Sequence, residues 1–96
     1  MIRGFADRET ERIWSGRRSR RLPFDLQAAA LRKLRLLNRA KVLGDLKVPP
    51  GNRPEALKGN RAGQHSVCIN DPWRICFVWT EGGPSHVKIV DYHDRR

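Results

Sequence analysis

The sequence predicts an α+β fold in which two N-terminal helices pack on one face of a small, mainly antiparallel β-sheet. In the first half of the chain, apolar residues recur at the three- and four-residue spacing of amphipathic helices. In the second half they alternate with polar residues, as they do in strands. Two helices followed by an antiparallel meander are typical of a helix layer on a sheet. We expect residues 1–96 to form one domain, because a chain of 96 residues leaves little room for a second.

The N-terminal half is predicted to contain a short strand and two helices. Residues 2–5 are expected to form the strand, and Asp7 to cap a brief helix that ends near Trp14. A longer helix is predicted to begin at an Asp25 N-cap and to end at residues 40–43. The apolar residues of this longer helix share one face and are expected to be buried: Leu26, Ala30, Leu34 and Leu37.

The C-terminal half is predicted to form an antiparallel meander. Residues 70–72, Asn-Asp-Pro, indicate a turn between the first two strands, and the last strand is expected at residues 86–92. Pairing the first two strands across a three-residue turn sets Ile69 opposite Trp73 on the core face. In the same register, Val67 lies opposite Ile75.

The other face of this hairpin carries a mid-strand arginine. The same register sets Cys68 opposite Arg74 and Ser66 opposite Cys76. Arg74 therefore points away from the main apolar face. A mid-strand position is unusual for a merely solvated arginine, and it favours a functional groove.

The charge of the chain indicates a polyanionic partner. Twenty Lys and Arg residues against ten Asp and Glu give a net charge of +10. The positive electrostatic field of such a chain attracts nucleic acid. Arginine, the more frequent cation here, binds phosphate through two parallel N–H groups. A soluble basic surface and an acidic protein partner are the alternatives.

Several classes of protein are not indicated. The sequence has no apolar run long enough to span a membrane and no apolar signal-peptide core at its N-terminus. Cys68 and Cys76 suggest neither a disulfide framework nor a zinc site, and the histidines lack metal-ligand spacing. We therefore expect a cytoplasmic protein with free thiols, no metal and no cofactor.

Four segments resemble the HigB branch of the RelE toxins. They are residues 25–34 (DLQAAALRKL), 56–63 (ALKGNRAG), 69–77 (INDPWRICF) and 90–93 (VDYH). The resemblance runs in order along nearly the whole chain. It implies a RelE-like, microbial-RNase-like fold and the toxin of a type II toxin–antitoxin system.

The resemblance also implies an activity and partners. Toxins of this kind are ribosome-dependent, metal-independent endoribonucleases (mRNA interferases), which inhibit translation by cleaving mRNA in the A site. The expected partners are mRNA, the ribosome and a cognate helix-turn-helix antitoxin of the HigA type. Operator DNA is expected only through the toxin–antitoxin complex.

Asp91, Tyr92 and His93 are the candidate residues for acid–base work and base stacking. Alternation along an extended strand sends Asp91 and His93 to one side and Tyr92 to the other. His93 titrates near neutrality, so it can act as an acid or a base. Asp91 can take the 2′-proton or orient His93, and Tyr92 can stack on a nucleobase.

Lys58, Arg61 and Arg74 are the candidate phosphate ligands. Arg74 is expected to hold the scissile phosphate with its guanidinium fork and to take part in catalysis. Lys58 and Arg61 flank a Gly-Asn turn that permits close approach of the backbone. The expected cleavage product carries a 2′,3′-cyclic phosphate.

Glu55 and His65 are secondary candidates. Some members of the family carry a histidine just before the Leu-Lys-Gly motif, and Glu55 occupies the matching position. Glu55 either replaces that histidine as a base or is a loop carboxylate. His65 either stacks on a base or packs near Phe77, and packing is favoured.

Two other functions share these sequence features. The chain could be a non-catalytic basic module that binds RNA or DNA within a toxin–antitoxin repressor complex. It could also cleave a different RNA, such as tRNA, with the same residues.

Overall fold

The structure, a computed structural model, describes residues 1–92 of the chain. Two α-helices precede four strands: α1 (Arg8–Trp14), α2 (Phe24–Arg39), β1 (Glu55–Ala56), β2 (Gln64–Asn70), β3 (Trp73–Thr80) and β4 (Gly83–Asp91). Short 3₁₀ helices lie at Leu43–Lys47, Pro50–Asn52 and Gly59–Arg61. The strands form one antiparallel sheet in the order β1-β2-β3-β4, and both helices pack on it. The predicted α+β fold is confirmed.

Both helices follow the sequence pattern, with one difference at the start of α2. Asp7 caps α1 as predicted, because its Oδ1 accepts a hydrogen bond from the Thr10 N–H at 2.8 Å. The predicted Asp25 N-cap is wrong: Pro23 takes that position, and Asp25 lies in the first turn. There its negative charge still interacts favourably with the positive, N-terminal end of the helix dipole. The predicted apolar face of α2 is confirmed, since four residues are fully buried: Leu26, Ala30, Leu34 and Leu37.

No helix within residues 1–92 has the length and the apolar composition needed to cross a membrane.

The register of the first hairpin is largely as predicted. Val67 pairs with Ile75, and both are buried against the helices. The predicted Ile69–Trp73 pair is wrong, because the register shifts beyond Cys68 and Asn70 pairs with Trp73 instead. Ile69 stays buried despite the shift. The predicted N-terminal strand is reduced to a single parallel bridge between Phe5 and Val87.

A bulge in β4 decides which residues face the helices. Cys76 pairs with Lys88, whereas Val78 pairs with Ser85, so His86 and Val87 together lie opposite the single residue Phe77. His86 adopts a left-handed conformation with φ of 53°. The extra residue puts Val87 in the core. Without it, Val87 would lie opposite Cys76, on the face turned away from the helices.

A buried asparagine anchors the loop that leads into β1. The side chain of Asn52 is almost fully buried; its Nδ2 donates to the Leu46 carbonyl at 3.1 Å and to the Val48 carbonyl at 3.2 Å. Its Oδ1 accepts a hydrogen bond from the Lys33 ammonium of α2. This network fixes the position of Arg53, the next residue of the chain.

Removing the Asn52 side chain should destabilise the fold. We expect Asn52→Ala to lower the free energy of unfolding by about 1–3 kcal/mol, because the buried Leu46 carbonyl and the part-buried Val48 carbonyl lose their donor. Denaturant unfolding measures this change. Asn60→Ala is the matched control, since Asn60 is exposed in a turn. Equal effects of the two substitutions would contradict the anchoring role of Asn52.

Candidate functional site

The sheet face turned away from α1 and α2, here called the site face, collects the candidate phosphate ligands. Cross-strand pairing places side chains on this face from three strands: Ser66, Cys68, Arg74, Cys76 and Lys88. Glu55 of β1 pairs with Ser66 and so belongs to the same face. The sequence-derived register therefore located Arg74 correctly on the face opposite the core.

Arg74 is held at the centre of this face by uncharged acceptors. Its Nε donates to the Ser66 Oγ at 2.8 Å, and its Nη2 donates to the carbonyls of Arg53 at 2.6 Å and of Ser66 at 3.3 Å. Ser66 is fully buried, so its hydroxyl is a fixed acceptor. No carboxylate in the described part of the chain forms an ion pair with Arg74. The guanidinium is oriented while its charge remains available to an anion.

Arg61 forms a second cluster next to Arg74. It ends the 3₁₀ helix Gly59–Arg61, and its Nη1 donates to the Tyr92 Oη at 3.4 Å. Its Nη2 donates to the Cys76 Sγ, also at 3.4 Å, and the same distance separates that Sγ from the Tyr92 Oη. The backbone N–H of Tyr92 donates to the Pro72 carbonyl at 2.9 Å, which fixes the end of β4 beside the β2–β3 turn. Arg61 and Tyr92 are distant in sequence, but both contact the Cys76 thiol.

The environment of Tyr92 keeps its phenol protonated. Burial raises the pKa of Tyr92 above its usual value, and the hydrogen bond and charge of Cys76 raise it further. The Arg61 guanidinium opposes both effects. Tyr92 is therefore a hydrogen-bond donor at neutral pH.

The other predicted residues lie around this centre. Lys58 is exposed at the start of the Gly59–Arg61 turn, and Glu55 is exposed on β1. Asp91 pairs with Trp73, so strand alternation turns it away from the face that carries Arg74. His93 lies outside the described residues. The favoured packing role of His65 is supported, because its ring stacks on Phe77 with centroids 5.9 Å apart.

Sequence reasoning did not assign three residues of the site. Ser66 and Cys76 were already paired on the correct face by the predicted register, and that pairing was the signal available for them. Lys88 gave no such signal, because its position on the site face depends on the bulge at His86.

Comparisons with known proteins identify the family. The family model described as "RelE-like toxin of type II toxin-antitoxin system HigB" matches residues 3–93. Toxin HigB-1 of Vibrio cholerae serotype O1 (strain ATCC 39315 / El Tor Inaba N16961) is 38% identical over 83 residues, which cover 85% of this chain and 87% of that protein.

The chain belongs to the HigB-like toxin family. It is therefore a RelE-like toxin of a type II toxin–antitoxin system, and a cognate antitoxin is its partner. The predicted resemblance to the HigB branch is confirmed. In this HigB-like toxin, the matched region contains the whole site face together with Arg61 and Tyr92.

The titration of Tyr92 tests the geometry of the cluster directly. Tyr92 is the only tyrosine of this HigB-like toxin, so the ultraviolet absorbance of tyrosinate reports this residue alone. We expect its pKa to lie above the usual tyrosine value in the folded protein and to return to that value on unfolding. Because the folded pKa is the higher one, Tyr92 stabilises the fold below the usual tyrosine pKa. This contribution is lost as the pH rises through the folded value.

Two substitutions should shift this pKa in opposite directions. Cys76→Ala removes a contact that raises the pKa of Tyr92, so it should lower the titration midpoint. Arg61→Ala removes a positive charge that lowers it, so it should raise the midpoint. An unchanged midpoint in both variants would show that the three side chains do not meet as described.

Proposed function

We propose that this HigB-like toxin is a metal-independent endoribonuclease that cleaves messenger RNA in the ribosomal A site and so inhibits translation in the cytoplasm. One observation carries the proposal: Arg74, oriented by three uncharged acceptors, offers its charge at the centre of the site face. The net charge of +10 supports a polyanionic substrate. The family supports a toxin whose target is RNA.

The proposed reaction is an internal transesterification. The 2′-oxygen of one nucleotide attacks the adjacent phosphorus, and the bond from phosphorus to the 5′-oxygen breaks. The 2′-hydroxyl proton passes to a base, and an acid protonates the departing 5′-oxygen. The products are a 2′,3′-cyclic phosphate and a free 5′-hydroxyl. In this scheme arginine and lysine side chains stabilise the added negative charge, so no step needs a metal ion.

Arg74 is the proposed ligand of the scissile phosphate. The N–H groups of its Nε and Nη2 already donate to Ser66 and Arg53, whereas those of Nη1 have no hydrogen-bond partner among residues 1–92 and can donate to phosphate oxygens. Arg61 stands next to it on Cys76, and the exposed Lys58 can close over the RNA from the neighbouring turn. Together they would orient the phosphate for in-line attack.

Asp91 and His93 are the proposed acid–base pair. Because strand alternation turns Asp91 away from the face of Arg74, its proposed role is to orient His93. This assignment follows from the resemblance of residues 90–93 to the family and from the neutral titration range of histidine. Tyr92 orients Arg61 through its phenol and offers its ring to a nucleobase. Glu55, paired with Ser66 on the site face, is a further candidate for the base.

The proposal also specifies the antitoxin. We expect a helix-turn-helix antitoxin of the HigA type, encoded beside the toxin. Operator DNA would then be bound by the complex through the antitoxin.

Substitution of Arg74 tests the proposed activity. We expect the wild-type chain, expressed from a tightly controlled promoter, to arrest growth and to create new 5′ ends within translated mRNA. Arg74→Ala should reduce cleavage about 100- to 1,000-fold, because the phosphate loses its oriented cation. Arg74→Lys should restore only part of the activity, since lysine lacks the planar fork. Arg8→Ala, on the exposed start of α1, is the control.

Three outcomes would contradict the proposal. Growth arrest without new mRNA ends would favour the non-catalytic RNA- or DNA-binding module. New ends confined to tRNA would assign a different RNA target. Purified toxin can be assayed on programmed ribosomes while divalent metals are chelated under conditions that leave the ribosome intact. Loss of cleavage under these conditions would contradict the metal-independent reaction.

A further inference from the structure

Lys88 is a cation of the site face that the mechanism above does not use. It lies in the middle of β4, directly opposite Cys76. Directly opposed residues of antiparallel strands point to the same face, with Cα atoms about 4.5–5.5 Å apart. The Cys76 thiol contacts Arg61 and Tyr92, so Lys88 borders the candidate site.

The bulge in β4 is what brings Lys88 to this face. His86 and Val87 share one position opposite Phe77, and His86 takes a left-handed conformation that a non-glycine residue adopts at some cost. Bulges of this kind re-aim side chains and occur often beside active sites. A regular strand would have turned Lys88 towards the helices and buried its charge.

The cations of this face lack anionic partners within the described chain. Among residues 1–92, the one ion pair is between Arg53 and Asp71, at 3.9 Å between two exposed side chains. Arg61 contacts a neutral phenol and a thiol, and Lys88 has no hydrogen-bond partner in the same range. Glu55 shares the face but forms no ion pair there. Half-buried positive charges without neutralising carboxylates favour binding of an anion.

The spacing of these cations fits an RNA strand. Arg74 and Cys76 are alternate residues of β3, so their Cα atoms are about 6.6–6.8 Å apart along the strand. Lys88 lies beside Cys76, one strand further across the sheet. Lys88 is therefore displaced from Arg74 by two residues along the sheet and one strand across it, so the two cations can contact different phosphates of one strand.

We propose that Lys88 forms a second phosphate subsite, which binds the RNA phosphate next to the one that Arg74 and Arg61 hold. This subsite rests on the proposed function, because it takes Arg74 as the ligand of the scissile phosphate. Lys88 is a binding residue in this account and takes no part in proton transfer. It fixes the register of the strand, so that the correct phosphodiester meets Arg74.

The test is a binding experiment that does not depend on cleavage. The probe is a short RNA with 2′-O-methyl groups, which cannot react, and its dissociation constant is measured at several salt concentrations. Lys88→Gln should weaken binding about tenfold. It should also reduce the salt slope by about 0.7, the value for one phosphate contact on a single strand. Lys88→Arg should keep the slope. Lys41→Gln, an exposed lysine beyond α2, is the matched control.

A second set of probes locates the contact. Each probe carries one neutral methylphosphonate linkage in place of one phosphate. For the wild type, neutralising the two adjacent phosphates of the site should weaken binding. Lys88→Gln should become insensitive at one of these positions, and Arg74→Ala at the neighbouring one.

The outcomes separate the two proposals. Equal effects of Lys88→Gln and Lys41→Gln, or equal loss at every linkage, would overturn the subsite whether or not the toxin cleaves RNA. A position-specific loss at Lys88 would support the subsite even if the wild type failed to cut mRNA, in which case only the proposed reaction would fall. Circular dichroism checks that each variant keeps its fold.

Discussion

The packing of α2 against one face of the sheet is the constraint on which the rest of the structure depends. Because α2 buries Val67, Ile75 and Ile89, every second residue of the central strands is committed to the core. The residues between them are necessarily on the other face. A polar or charged residue at such a position is therefore a member of the site face by geometry alone, and Arg74 is the clearest case.

The loop before β1 connects the helix layer to that face. Lys33 of α2 donates a hydrogen bond to the buried Asn52, and the carbonyl oxygen of the next residue, Arg53, accepts a hydrogen bond from Arg74. Ser66 supplies the remaining acceptors from β2. The guanidinium is thus oriented by neutral dipoles and keeps its full charge. Preorganised charge of this kind is what stabilises an additional negative charge on a phosphate.

Much of this architecture could be predicted from the sequence, because hydrophobic alternation records it. The buried face of α2 and the position of Arg74 follow from periods of 3.6 and 2. The bulge at His86 could not be predicted, since one extra residue leaves no mark in the pattern. The pattern also did not show that α2 begins at Phe24, which makes Pro23 the N-cap in place of Asp25.

Contacts between residues that are distant in sequence could not be predicted from the hydrophobic pattern either. Arg61 and Tyr92 are 31 positions apart and meet only because the Gly59–Arg61 turn and the end of β4 converge on Cys76. The sequence named both residues as candidates through the family resemblance. The predicted register placed Cys76 on the correct face, but it did not show that this thiol contacts Arg61 and Tyr92, since an ordinary buried cysteine has the same sequence pattern.

The most direct test of the central claim is a chemical-shift map of the folded toxin with a short, non-cleavable RNA. We expect the largest shifts to fall on the backbone amides of Ser66, Arg74 and Cys76 and on the Arg74 Nε–H group. Shifts confined to the exposed basic side of α2, with the Arg74 Nε–H signal unmoved, would contradict the claim. That result would place the RNA on the helix layer and leave the site face without its proposed ligand.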